Sequence, residues 1–546
     1  MGAPIPLYFA KLYLKLLVAK KDFEKAITFL TGVGKPSFEL WVEEKQWLVR
    51  IYLQSDQEEK AIQTLIEMVR LNYENVDEFQ SIYFLHELLL SLVVPIVLKH
   101  EATPLTIETF SQKLDAATAE PLFKDFSPDF DFLANLFASF KKYQAYNMED
   151  RSVNGHNCRK SAYLSEMLLK HKLLVLGENS LNDEQKSSLF DQVITKYAEL
   201  FKEVQSLVFD LGPYLQYLTS TSGAQSKFLT EFEALIAVPI DAKRKARVNM
   251  NFHKFRQMFG VSYEEDQEEL AKKLQALYFE LAALDNKPEK GERKIADDVV
   301  LLINELYEKK NSAGSDEVTP SLLYRMSLLE HALDQSPYNF DIQMALVKIY
   351  DHYGLSISFQ SAHANLNLKG VQLESMGYIQ FRHSLEFGTV ESILKPILTK
   401  YTKYWQLNEQ DLRRLKLNSL KEDNFDQIEN FIEFEGFLQK SYFHHVQAML
   451  NRQYDLVKNS ASNPDYGRDF FKNAAGQFSL DFNLQDVSKM TRTQDLKVVQ
   501  SKFDKPEQAA ISQEAIVGVS DNTFTDVINA WIVKNDPQYA QFKNYR

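Results

Sequence analysis

The chain has 546 residues, room for three or four ordinary domains at about 150 residues each. Glycine (18) and proline (16) are scarce while Leu, Lys, Glu, Gln and Ala abound, a composition that favours helices over a sheet-rich enzyme. The formal net charge of −13 argues against nucleic-acid binding as the main business, and a single cysteine, Cys158, excludes an intramolecular disulfide or a cysteine cluster for zinc.

The opening MGAPIPLYFAKLYLKLL shows no clear cleavage site, so no signal peptide is expected. Two early segments then align: DFEKAITFL from Asp22 and QEEKAIQTLI from Gln57, with Ala26 and Ala61 in matching places thirty-five residues apart. That period is close to the 34 residues of a tetratricopeptide repeat, in which a small residue sits where two helices cross closely. Between them, TGVGKPS (Thr31–Ser37) has the glycine–lysine pair of a phosphate loop. It lacks the first glycine, and Pro36 stands where a magnesium-binding hydroxyl belongs, so it reads as a turn. His86-Glu87 starts like a metalloprotease helix but has Leu90 where the second histidine is needed. The longest apolar run, Leu88 to Leu98, is too short for a membrane span and contains Pro95.

Polar breaks follow at Asn147–Asn157, Asp285–Arg293, Lys309–Pro320 and Asn459–Gly467, with helical periodicity between them, as in LLKHKLLVL and LYFELAAL. KRKARVNMNFHKF is expected to form a basic helix over 243–256, carrying Lys243, Arg244, Lys245, Arg247, Lys254 and Arg256. It is followed at once by the acidic YEEDQEEL, whose helix Ser262 and Glu265 would open as a capping box. The charges either knit neighbouring helices or form a docking patch for RNA or an acidic partner, with Lys243, Arg244, Arg247, Lys254 and Arg256 as its candidates. Two further likenesses fail on inspection. QMFGVS (Gln257–Ser262) imitates an acyl-coenzyme A loop, but Ser262 spoils its end and a helix rather than a strand precedes it. Lys245 and Asn249 match half of a chaperone-binding carboxylate clamp, but Ala283 stands where the next asparagine is required.

SPYNFDIQMALVKIYDHYG, from Ser336 to Gly354, meets the repeat template most fully. Pro337 ends one unit, Leu346 and Tyr350 lie one helical turn apart on one face, and Gly354 supplies the turn into the next helix. Upstream, Leu329, Ala332 and Leu333 form the packing stripe of the preceding helix. His444 and His445, adjacent on a helix, point about 100° apart and cannot easily share an ion. The expected architecture is all-α: a tetratricopeptide-like solenoid, a right-handed superhelix, with a less regular C-terminal region. Its parts are N-terminal helix pairs (1–140), a middle helical region (141–310), a second array (316–450) and a mixed helical and extended region (451–546). Repeat packing would rest on Ala26, Ala61, Ala332, Pro337, Leu346, Tyr350 and Gly354, with no catalytic, cofactor or metal residue.

The opening of that block and its continuation, NLNLKGVQLESMGYIQFRH, together resemble the auxiliary subunit of the NatB N-terminal acetyltransferase. The family's Ser-Pro-x-Asn turn falls on Ser336, Pro337 and Asn339, and its Leu-x-x-x-Tyr helix on Leu346 and Tyr350. The pattern after it falls on Leu366, Lys369, Gln372, Gly377 and Tyr378, with Val371, Glu374 and Ser375 as conservative departures. FDQIENFIEFEGFLQKS, from Phe425, is similar to a second family segment, and LVFDLGPYL, from Leu207, to a Phe-x-Asp-Leu element with Val208 in place of Phe. Family members usually carry further repeat pairs before the region resembling residues 7–70.

The resemblance implies a non-catalytic, cytoplasmic subunit that forms a heterodimer with a small catalytic acetyltransferase. It would present that partner to nascent peptide N-termini at the ribosome, a contact that ribosomal RNA could supply, with no membrane involved. Acetyl-coenzyme A would sit on the partner, which would acetylate initiator Met when Asp, Glu, Asn or Gln follows. The rival reading is a helical-repeat chaperone or assembly adaptor.

Overall fold

A computed structural model describes residues 7–32, 34–35, 41–74, 82–100, 126–144, 153–176, 181–219, 222–238, 241–263, 266–284, 294–311, 319–369, 371–388, 395–422 and 425–439, with single positions from 441 to 459. Residues 460–546, most of the expected C-terminal region, and His444 and His445 lie outside the described residues. Two compact units divide the chain, Met1–Phe259 and Gly260–Arg546. The break falls inside the 141–310 region, at Gly260, whose φ of 82° follows the last helix of the first unit.

The first unit contains α1 (Leu7–Ala19), α2 (Phe23–Thr31), α3 (Trp41–Gln54), α4 (Glu58–Glu74), α5 (Ile82–His100), α6 (Phe130–Gln144), α7 (Val153–Leu176), α8 (Asp183–Leu200), α9 (Leu207–Thr219), α10 (Ser222–Ala234) and α11 (Ala242–Met258). The second contains α12 (Gln267–Leu284), α13 (Asp297–Asn311), α14 (Pro320–Gln335), α15 (Phe340–His352), α16 (Ser356–Asn365), α17 (Val371–Met376), α18 (Tyr378–Glu386), α19 (Lys395–Lys421) and α20 (Phe425–Gln439). No strand occurs among the described residues, and within each unit the main helix contacts join a helix to the next or next-but-one described helix. This is the expected all-α helical-repeat class. No helix among the described residues is long and apolar enough to cross a membrane.

The thirty-five-residue period is visible bond by bond. Lys21 and Asp56 both adopt left-handed backbone, with φ of 57° and 56°. After each, the next amide reaches back five residues: Asp22 N–H donates to the Leu17 carbonyl and Gln57 N–H to that of Tyr52, both at 2.9 Å. This is the bond of a Schellman stop, which satisfies a carbonyl the ending helix cannot. Ala26 and Ala61 then open α2 and α4 fully buried. Gly354 (φ 64°) repeats the device between α15 and α16, with Leu355 N–H donating to the Tyr350 carbonyl at 2.9 Å.

Ala332, Leu346 and Tyr350 are buried, and the Tyr350 hydroxyl donates to Glu330 Oε1 at 2.5 Å, tying α15 to α14. Burial, helped by that carboxylate, pushes the phenol well above its usual range, so it stays a donor. Pro337 differs from the other repeat-packing candidates: it is exposed. Its carbonyl accepts from Gln343 Nε2 at 2.7 Å, so the proline shapes the turn while its neighbours do the holding. Leu346→Ala is expected to cost about 2–5 kcal/mol, the range for truncating a large buried side chain, measured as a fall in the urea midpoint.

Two helix starts depart from expectation. Asp266, rather than Ser262, caps α12, its carboxylate accepting from the amides of Glu268 (2.9 Å) and Glu269 (3.3 Å). Ser262 is buried one residue into a short 3₁₀ turn, and Glu265 lies outside the described residues. The polar break at Asn147–Asn157 is helical from Val153 onward.

Candidate interaction surfaces

The residues that make up the Ser-Pro-x-Asn turn meet one buried carboxylate. Asp297, the first residue of α13, accepts from Ser336 Oγ (3.0 Å), Asn339 Nδ2 (2.7 Å) and the Lys294 amide (3.0 Å). Asn339 also caps α15, its side-chain oxygen accepting from the Asp341 and Ile342 amides at 3.0 and 3.3 Å. All three side chains are buried, so the turn is locked into the preceding hairpin through charge-assisted bonds.

Further along, Gly377 is glycine for reasons of space. Its φ of −64° suits any residue, but a Cβ there would overlap the hydroxyl of the fully buried Tyr401, which donates to the Leu373 carbonyl. Glu374 beside it is buried and accepts from Ser441 Oγ. In the first unit, Asp210 of the LVFDLG element gathers Lys160 (2.8 Å), Tyr197 Oη (2.9 Å) and Ser206 Oγ (2.9 Å), joining α7, α8 and α9. The motif residues described here act mainly as internal fastenings.

Two buried groups were not foreseen. Glu166 on α7 bonds Lys170 and Lys141, each at 2.7 Å, and Gln144 at 2.6 Å. Burial opposes its ionisation, but the two lysines together with the Gln144 amide hold the carboxyl below its usual range; at Lys170 burial wins and lowers the ammonium. In the second unit, His383 Nδ1 lies 2.9 Å from Asp351 Oδ1 and its Nε2 3.1 Å from Ser356 Oγ. The order Ser–His–Asp imitates a hydrolase relay. The imidazole, however, is buried and stacked on Phe359 at 3.8 Å, so it joins α15, α16 and α18. Apart from Glu166 and Lys170, four residues apart on one helix, these partners are far apart in sequence, where spacing could not reveal them.

One buried histidine in each unit sets an acid limit. Burial lowers His86 to about 3, and burial aided by Lys400 lowers His363 to about 3. The folded-state value lies below the unfolded one, so each contributes stability that is present above pH 6.5 and lost as pH falls toward 3. By pH 5 each site gives up about 2 kcal/mol. Urea unfolding at pH 7 and pH 5 reads this loss, and His363→Gln should shrink the pH dependence by about one proton.

The basic helix is α11, but its charges divide. From Ala246 onward most of it is buried, including Val248, Met250, Asn251, Phe252, Phe255 and Gln257. Asn251 Nδ2 donates to the Lys202 and Val204 carbonyls at 2.8 and 3.1 Å, fixing the helix to the loop before α9. Lys254 is fully buried and is removed from the docking patch. It continues the Ala246–Met250–Gln257 stripe, whose spacing of four and three residues points inward. Arg256 lies 5.6 Å over the Phe252 ring, half-covered. The cations that face solvent are in the first turns: Lys243, Arg244 and Lys245 are exposed and Arg247 half-buried. Arg244 pairs with Asp241 (3.1 Å) and Glu203 (3.5 Å), so part of this charge braces the helix start.

Among the described residues, no group of three His, Cys, Asp or Glu side chains is placed to hold a metal ion. Paired helices fastened by buried polar bonds define an all-α helical-repeat protein. The family described as "N-acetyltransferase B complex (NatB) non catalytic subunit" matches residues 139–520, most of the chain. The chain belongs to that family. It is 22% identical to the mouse protein named N-alpha-acetyltransferase 25, NatB auxiliary subunit, over 289 residues, or 51% of this chain and 29% of the relative. The human protein of that name is similar at 22% over 291 residues, 51% of this chain and 29% of the relative. The Aedes aegypti Phagocyte signaling-impaired protein is 25% identical over 142 residues, 26% of this chain and 15% of the relative. The chain thus matches less than a third of the length of these curated relatives.

Proposed function

We infer that this chain is a scaffold that binds and activates the NatB catalytic subunit for acetylation of nascent chains beginning Met-Asp, Met-Glu, Met-Asn or Met-Gln. The observation that carries this reading is the family match over 139–520, coinciding with an all-α helical-repeat architecture that suits wrapping a globular partner. Acetyl-coenzyme A belongs on the partner, and the pair acts as a cytoplasmic heterodimer at the ribosome. A scaffold raises turnover only by binding the competent conformation of its partner better than the others. The solvent-facing first turns of α11 are the surface best suited to ribosomal RNA, because several clustered cations release counterions from phosphate.

Purified alone, the chain should neither bind acetyl-coenzyme A appreciably nor acetylate peptides. Mixed with the catalytic subunit, it should increase turnover on Met-Asp and Met-Glu peptides. Failure to bind that subunit would favour the adaptor reading. Replacing Lys243, Arg244 and Arg247 by Glu should weaken ribosome sedimentation and its dependence on salt while peptide acetylation stays near normal. Loss of the complex itself in that variant would make α11 an internal brace.

A further inference from the structure

Helix α19 is apolar on two sides. At about 100° per residue, Leu412 and Ser419 fall on one line, and both are buried. Lys416, close to that line, bridges to Glu435 of α20 at 2.8 Å. Leu417 projects from the opposite side and Leu420 lies beside it, with 59% and 53% of their surfaces exposed. Cations rim these leucines. Arg413 stands one turn before Leu417, Lys421 one turn after it, and Arg414 on the flank, where it pairs with Asp411 at 3.0 Å. The same face earlier in the helix is polar, with exposed Thr399, Lys403 and Gln410. Among the described residues, the apolar strip therefore covers the last two turns.

An apolar centre with a charged rim is the anatomy of a protein interface. The size fits a short helix bearing two or three apolar residues at three- and four-residue spacing. The rim fits an acidic one, since these cations are a local exception in a chain of net charge −13. A second copy would bring another −13 toward this chain. A lipid surface calls for a longer apolar face than two turns, and RNA gains nothing from exposed leucines.

We propose that the Leu417–Leu420 face of α19 is a docking site for an acidic-rimmed amphipathic helix of the catalytic acetyltransferase subunit. This rests on the reading that the chain binds that subunit. Two variants of the full chain test it against the purified catalytic subunit by calorimetry at low and moderate salt: Leu417→Ser with Leu420→Ser, and Arg413→Glu with Lys421→Glu. Both pairs are at the surface, so the melting temperature should hold. The leucine variant should weaken the Kd by about tenfold or more. The charge variant should weaken it mainly at low salt and flatten the salt dependence. If the wild type binds and both variants bind with the same Kd and salt response, the docking site is wrong while the scaffold reading stands. If the wild type does not bind the catalytic subunit, both fail. Sedimentation of the wild type with phosphatidylserine-containing vesicles, lost in the leucine variant, would make lipid the occupant and overturn the proposal.

Discussion

Asp297→Ala is expected to destabilise the second unit by about 3–5 kcal/mol, the cost of leaving strongly polar buried groups without their charged partner. The carboxylate accepts three bonds, from Ser336, Asn339 and the Lys294 amide, and is itself buried. With alanine there, the Ser336 hydroxyl and the Asn339 amide lose their acceptor inside the protein. Asp297→Asn should recover part of the loss, because the amide can turn its oxygen to the two donors at the Oδ2 position and its nitrogen to the Ser336 hydroxyl, while the charge assistance is lost. Ser336→Ala and Asn339→Ala should each cost less than Asp297→Ala, and each should be coupled to it in a double-mutant cycle. The measurement is urea unfolding at pH 7. A loss below about 1 kcal/mol would mean that water replaces the carboxylate easily and the fastening is weak.

Gly377→Ala should cost about 3 kcal/mol or more, toward the upper end for overpacking. The backbone accepts alanine at φ −64°, so strain is not the cause. The added methyl would collide with Tyr401, whose hydroxyl already fills the space against the Leu373 carbonyl. Burial raises that phenol well above its ordinary value, so it remains a hydrogen-bond donor at neutral pH. Tyr401→Phe alone should cost about 1 kcal/mol for the lost bond. Combined with Gly377→Ala it should relieve only part of the loss, because the Tyr401 ring carbon and the Leu373 carbonyl oxygen (2.5 Å) would still crowd the methyl. Additive losses in the double variant would place the damage elsewhere in α17 and α18.

Local chemistry was legible in the sequence and long-range partnership was not. The matched Ala26 and Ala61, the turn at Gly354 and the extent of the basic helix all follow from spacing within about one helical hairpin. The Ser-Pro-x-Asn turn was legible as a turn, but its acceptor, Asp297, sits 39 residues before Ser336 and could pass for an ordinary acidic helix start. Lys254 was misplaced because counting charge ignores direction; the stripe of Ala246, Met250 and Gln257 carried the needed signal. A proline marks the end of a repeat whether or not it is buried, so Pro337 shapes its turn from the surface. The break at Gly260 falls where basic sequence gives way to acidic, a shift that reads equally well as two neighbouring helices of opposite charge. The exposed Leu417–Leu420 face of α19 has no signature in the sequence, because a leucine on a helix is equally compatible with burial and exposure.

Helices that rest on their neighbours in sequence also settle when each can form. Joining two adjacent helices closes only a short loop, so little chain entropy is lost before the contact is made. As synthesis proceeds, α1 and α2 can pair before α3 is complete, and the Schellman stops at Lys21 and Asp56 can close as soon as their own helices exist. The Asp297 fastening must wait some forty residues for its partners at Ser336 and Asn339. Contacts between neighbouring helices can therefore close in chain order, while the Asp297 knot closes after the hairpin that follows it has been made.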